Sequence, residues 1–209
     1  MSIRPFCLHD GVSALLAQAN IDTDTIIGID RLMLTPRQDL GRWALERLRY
    51  HADGSLNPNF VFNQPRCTNA TVLICGPNFG CGSSRETAVW ALQGIGVRCL
   101  VAPSFGDIFQ QNCIKNGVLP AVIDDEAWQV LVRCWHDTGN APFSVHIDLL
   151  SKRLSHAGGE AGIHIAVADQ QSLIAGLDEI AQTSTYMGAI AQQIESASQE
   201  QPWLKLHFA

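Results

Sequence analysis

Residues 71–75, Thr-Val-Leu-Ile-Cys, form a strand-like run that enters a glycine-bearing loop, Asn78-Phe79-Gly80-Cys81-Gly82-Ser83-Ser84-Arg85-Glu86, and the loop leads into a helix-like run containing Val89, Trp90 and Leu92. Gly94-Ile95-Gly96 stops that helix, and a second apolar run fills residues 97–102. The pattern predicts a strand, a helix over residues 84–93 and a second strand, which make one β-α-β unit. Such crossovers are right-handed and set their strands parallel in one sheet. Parallel sheets are covered by helices on their faces, so the unit commits the chain to an α/β fold.

The loop itself carries chemistry. A strand-to-helix turn leaves the first helix amides unpaired and pointing outward, a place to hold an anion. Arg85 adds a fork of donors matched to a carboxylate. Ser83 and Ser84 beside that positive potential suit a hydroxyl whose pKa is lowered enough to act as a base. A second reading stands beside this one: Ser83 and Glu86 are three apart, the spacing of a helix capping box. Capping does not require Gly80 or Gly82, whereas close approach of the backbone to a ligand does.

The remaining composition narrows the function. The 209 residues are 46% hydrophobic and 16% charged, enough to bury a core, and the net charge is -6. An acidic balance without a basic stripe excludes a nucleic-acid footprint. No signal-like or membrane-spanning apolar run occurs, so a soluble, cytoplasmic protein is expected. Cys7, Cys67, Cys75, Cys81, Cys99, Cys113 and Cys134 are scattered. Without C-x-x-C or close Cys/His spacing they indicate reduced thiols, and neither a structural zinc nor a self-contained iron–sulfur cluster.

Elsewhere, Asn20-Ile21-Asp22-Thr23-Asp24 reads as an Asx-type turn or as a carboxylate delivered to a site. Helical spacing covers residues 39–50, and the Gly-, Asn- and Pro-rich residues 51–65 read as a long loop. A short helix over 107–112, an apolar run over 118–123 and a helix over 124–135 follow. Alternation predicts strands over 143–150 and 162–167, with Gly158-Gly159-Glu160 as the hairpin loop between them. Residues 169–200 are helical in composition, with interruptions expected around Gly176 and Gly188.

Four stretches together resemble a known family: Asn20–Asp24, Pro58-Asn59-Phe60-Val61-Phe62-Asn63, Asn78–Glu86 and Ala102-Pro103-Ser104-Phe105-Gly106-Asp107-Ile108-Phe109. Asn112, Gly117-Val118-Leu119-Pro120 and Gly176-Leu177-Asp178-Glu179-Ile180 extend the match in order. The chain is similar to the aconitase superfamily, and within it to the small subunits of 3-isopropylmalate dehydratase (isopropylmalate isomerase). The resemblance implies a swivelling three-layer β/β/α domain over residues 1–209, with a C-terminal helical extension from near Asp169. It implies a hydro-lyase of leucine biosynthesis that interconverts 2- and 3-isopropylmalate by dehydration and rehydration, active only with a large subunit. That partner would carry a [4Fe-4S] cluster with one iron open to substrate, and this chain would bind no metal. By the same resemblance Ser83 is the base that takes the proton alpha to a carboxylate, and Asp24 is an acidic group of the site. Ser84 and Arg85 hold the substrate carboxylate and oxyanion, with Gly82 and Arg31 as further substrate contacts.

The family usually has histidine where Thr87 stands, often proline where Val89 stands, and proline where Gly28 stands. The loop from Gly28 to Arg31 is where the family shapes selectivity for the substrate's side group. A small subunit for another 2-substituted malate, such as citramalate or dimethylmalate, and a non-catalytic regulatory module are the alternative readings.

Overall fold

The computed structural model describes residues 3–177 and 179–200. Asp178 of the last matching stretch and residues 201–209 of the expected extension lie outside the described residues. Seven strands make one sheet in the order β4-β3-β2-β1-β5-β6-β7: β1 (Leu8–Leu16), β2 (Val72–Cys75), β3 (Cys99–Ala102), β4 (Leu119–Val122), β5 (Ser144–Asp148), β6 (Arg153–His156) and β7 (Gly159–Gly162). Strands β1 to β4 run parallel, and β1 joins β5, β6 and β7 through antiparallel pairings.

The long first strand serves both halves. Its residues Ser13 to Leu16 pair with Val72 to Cys75, and its residues Leu8 to Val12 pair with Asp148 to Ser144. Strands β2 and β3 are apolar throughout and every one of their residues is buried, as a sheet covered on both faces requires. In β5 the alternation is clean: Val145 and Ile147 face inward, Ser144 and His146 outward. Past β7, His164 forms an antiparallel bridge to Val122, and its ring lies 3.0 Å from the Asp124 carboxylate. The two ends of the sheet therefore curl together, which protects the β4 edge from pairing with another chain. The halves of the curled sheet form two β layers and the helices a third.

Short helices α1 (Thr23–Ile26), α2 (Ile29–Leu32) and α3 (Glu46–Arg49) precede the longer α4 (Glu86–Gly94), α5 (Asp107–Lys115) and α6 (Asp125–Asp137). Helix α6 is tied down by indole donors: Trp128 to the Cys75 carbonyl at 2.7 Å and Trp135 to the Ser13 carbonyl at 3.3 Å. Helices α7 (Val167–Ala175), α8 (Glu179–Thr185) and α9 (Met187–Glu200) follow. Helix α9 buries none of its residues.

Three expectations are corrected. The helix over 39–50 is broken into a 3-10 segment, Arg37–Trp43, and the short α3, because Leu45 takes a left-handed conformation (φ 54°) that buries its side chain completely. Beyond β5, the strands are β6 and β7; of residues 162–167, Gly162 ends β7 and His164 makes an isolated bridge, so no separate strand forms there. Strand β6 has one buried apolar side chain, Leu154, and β7 only Ala161, so neither carries an alternating signal. Gly176 ends α7 in the left-handed conformation as expected, whereas Gly188 sits inside α9 and the break falls at Tyr186. The sequence 58–63 folds as a plug: Phe60 and Val61 are buried, and Asn63 donates to the Arg49 and Asn57 carbonyls at 2.8 Å each.

Candidate active site

Parallel strands end on the same side, so the segments that leave β1, β2 and β3 emerge together. These are the Asn20–Asp24, Asn78–Arg85 and Pro103–Gly106 stretches. Crevices outside the carboxyl ends of parallel strands are where α/β folds bind ligands. Backbone hydrogen bonds stitch the segments together: Gly80 N–H to Ile21 at 2.7 Å, Thr23 N–H to Cys81 at 3.0 Å, Phe79 N–H to Ser104 at 3.2 Å and Gly106 N–H to Phe79 at 2.9 Å. Asn78 adds two more ties: its side chain donates to the Asn20 side-chain oxygen at 2.8 Å, and its backbone N–H donates to the Ser104 hydroxyl oxygen at 2.9 Å.

Asp22 and Asp24 divide the work. Asp22 caps α1, its carboxylate accepting the Thr25 amide at 2.7 Å. Hydrogen bonds from the Thr25 side chain and backbone hold the Asp22 pKa below its ordinary value. Asp24 instead points across to α4 and pairs with Arg85 through Nη1. Arg85 is 15% exposed and Asp24 44% exposed, so the guanidinium is nearly enclosed while the carboxylate remains reachable. The Nε and Nη2 groups of Arg85 make no hydrogen bond among the described residues.

The capping-box reading fails here. The N-cap of α4 is Arg85, two residues beyond Ser83, and no side chain caps the helix. Glu86 accepts from Asn116 at 2.8 Å instead of reaching back to Ser83. The amides of the first turn are left available for an anion. Ser83 and Ser84 are exposed, and neither hydroxyl has a hydrogen-bond partner among the described residues. Below them Thr23, 1% exposed, donates its hydroxyl to the Ser83 carbonyl at 3.0 Å. Thr23 thus fixes the serine backbone and leaves the serine side chain free.

A depression of about 300 Å³ opens beside the serines, lined by Gly80, Cys81, Gly82, Ser83, Phe105 and Ile108 among others. Its floor is aromatic: the Phe109 ring meets Phe79 edge-on at 5.7 Å and Phe105 at 6.4 Å. Gly82 brings backbone to the surface between Asp22 and Ser83 (φ 90°). Arg31 is engaged elsewhere, with two hydrogen bonds to Glu46 at 2.8 and 2.6 Å and its guanidinium 3.8 Å above the Trp43 ring.

The pattern of the aconitase C-terminal domain family matches residues 4–126. The chain is 42% identical to the 3-isopropylmalate dehydratase small subunit of Xanthobacter autotrophicus over 203 residues, which covers 97% of this chain and 100% of that one. It is 42% identical to the small subunit of Agrobacterium fabrum over 202 residues, covering 96% and 100%. The chain belongs to the 3-isopropylmalate dehydratase small-subunit family. The crystal structure of 3-isopropylmalate dehydratase from Methanocaldococcus jannaschii has the same fold, with a TM-score of 0.64, 23% identity and coverage of 89% of this chain and 99% of that one.

Two departures from the family pattern have structural consequences. Gly28 has φ -67°, the value that a proline ring would fix, and a Cβ there would meet only the end of the Asp30 side chain, so the glycine keeps a proline-compatible backbone and widens the loop's freedom when unfolded. Thr87 is the one described residue with a buried side-chain oxygen that lacks a hydrogen-bond partner. A buried hydroxyl left unpaired costs about 1–3 kcal/mol, so Thr87→Val, the same shape without the oxygen, is expected to stabilise the chain by about 1 kcal/mol. Chemical denaturation of the two proteins measures it; a loss of stability would mean that the hydroxyl has a partner in solution.

Proposed function

We propose that this chain is the small subunit of a 3-isopropylmalate dehydratase, acting as one swivelling domain and supplying the base and the carboxylate clamp of the reaction. One observation carries the reading: beside two unpartnered serine hydroxyls and the uncapped start of α4, Arg85 already holds a carboxylate, that of Asp24. The site is built for carboxylates, and Asp24 occupies the place of one.

In the reaction, Ser83 as its alkoxide takes the proton from the carbon alpha to a substrate carboxylate, while the hydroxyl on the adjacent carbon takes a proton from an acid of the assembled site and departs as water. Water then returns with the opposite regiochemistry. Ser84, the Gly82 backbone and the free donors of Arg85 hold the carboxylate, and the first amides of α4 stabilise the charge that builds on it. Serine is a weak base in water, so its basicity depends on these donors and on exclusion of solvent. Asp24 balances Arg85 and is the group that substrate displaces or shares. Arg31, committed to Glu46 and Trp43, contributes by holding the segment after Asp24 in place. The neighbouring side chains of Ile29, Met33 and Leu34 are exposed, the last two at 85%, and suit an apolar side group or the partner that covers it.

A [4Fe-4S] cluster on the large subunit would supply the Lewis acid for the departing hydroxyl. The cysteines here suit that division. Cys75, Cys99 and Cys113 are sealed in the core, with their thiol pKa values pushed up by burial, and no three candidate ligands lie together among the described residues. No helix among the described residues is long and apolar enough to cross a membrane.

Arg85→Lys tests the clamp, since a point charge cannot replace a planar fork. With the large subunit present, the Michaelis constant for isopropylmalate is expected to rise about tenfold to a hundredfold, the worth of one charge-assisted hydrogen bond. An unchanged constant would remove Arg85 from substrate binding. The proposal as a whole is tested by the requirement of both chains for turnover of isopropylmalate.

A further inference from the structure

At the C-terminal end of α5, Asn116 uses every hydrogen-bonding group it has. Its Nδ2 donates to the Glu86 carboxylate at 2.8 Å and to the Asn112 carbonyl at 2.9 Å. Its Oδ1 accepts from the Trp90 indole at 2.8 Å and from Arg37 at 3.2 Å, and its carbonyl accepts the Gln93 side chain at 2.7 Å. Glu86, Trp90 and Gln93 are spaced at i, i+4 and i+7, one stripe along α4. A single residue thus grips α4 at its start, its middle and its end, and fixes both rotation about the helix axis and position along it. Arg37 completes the arrangement, lying 4.1 Å above the Trp90 ring.

We infer that Asn116 is a positioning residue for the site, acting through Glu86 on the adjoining Arg85 and on the serines before it. Glu86 is the first residue of α4 and Arg85 its N-cap, so a shift of the helix is delivered directly to the guanidinium. Asp24, on a separate element, would not move with it. The Asp24–Arg85 geometry therefore depends on how α4 is seated, and Asn116 seats it. This inference rests on the dehydratase reading only for its kinetic readout.

The test compares two variants that both lose the donor to the Asn112 carbonyl and that differ only in the polarity of the bond to residue 86. Asn116→Asp keeps acceptors for Trp90 and Arg37 but sets a carboxylate against Glu86. Adding Glu86→Gln restores a donor facing an acceptor. With the large subunit, N116D is expected to lower kcat/KM about tenfold to a hundredfold, the scale of a small misplacement of catalytic groups, and N116D/E86Q to recover most of it. In the chain alone, exchange of the helix-bonded amides over residues 89–93 should quicken about tenfold in N116D and return in the double variant, while protection in β2 and β3 stays unchanged. A kcat/KM unchanged in N116D, or a loss that E86Q does not recover, overturns the inference and leaves the dehydratase reading standing. If the wild-type complex shows no turnover, the dehydratase reading fails and exchange alone decides. Equal exchange over 89–93 in wild type and N116D then overturns the role of Asn116.

Discussion

Ser83→Ala is expected to lower the turnover of the reconstituted complex about a hundredfold to ten-thousandfold, the contribution of a positioned proton-transfer group. The structure separates this effect from damage to the fold. The Ser83 side chain is exposed and bonds to nothing among the described residues, whereas its carbonyl takes the Thr23 hydroxyl, a contact that alanine preserves. Stability and assembly with the large subunit should therefore match wild type, and the loss should lie in kcat. Wild-type turnover in Ser83→Ala would take the base away from this position, and Ser84, equally exposed, would be the next to examine.

Gly80→Ala is expected to cost about 2–5 kcal/mol of stability, combining left-handed strain of about 1–2 kcal/mol with overpacking of about 1–3 kcal/mol. Gly80 has φ 73°, and a Cβ there would lie 2.2 Å from the Phe109 ring. That ring is 2% exposed and packed on Phe79, itself fully buried, and on Phe105, so moving it breaks both aromatic contacts. Gly82→Ala is the comparison: φ is 90° but the nearest atom, the Asp22 Cβ, is 3.5 Å away, so only backbone strain applies. Urea unfolding of both variants measures the difference. A Gly80→Ala protein within about 1 kcal/mol of wild type would show that the loop relaxes away from Phe109 and that its path is not set by that packing.

The parts of this molecule that were legible in its sequence share one physical cause. Strands β2 and β3 are buried on both faces, so they appear as unbroken apolar runs, and the glycines between them mark the loop. Strand β1 is at the centre of the sheet and gives no such signal. Its first half, Leu8 to Val12, lies in the antiparallel part with Leu8 exposed, and its second half lies in the buried parallel part, so no single period runs through it. Strands β6 and β7 are held by their ladders and by one inward side chain each, and a short polar strand has no pattern to read.

At the site, residue types were readable and pairings were not. Two aspartates two positions apart look alike in sequence, yet Asp22 caps a helix and Asp24 meets Arg85, 61 positions away. Thr23 and Thr25 both lie between Ile21 and Ile26, and only the fold shows that Thr23 is the buried one, donating its hydroxyl to the Ser83 carbonyl. Arg31, which the resemblance implies as a substrate contact, pairs with Glu46, 15 positions away, which only the fold brings near.

The most direct test of the central claim is an anaerobic assay of this chain with a cluster-loaded 3-isopropylmalate dehydratase large subunit, following alkene absorbance with 3-isopropylmalate as substrate. Turnover only when both chains are present, and its loss with Ser83→Ala in a complex that still assembles, is the predicted result. A complex that assembles with the wild-type chain and leaves isopropylmalate unchanged would contradict it.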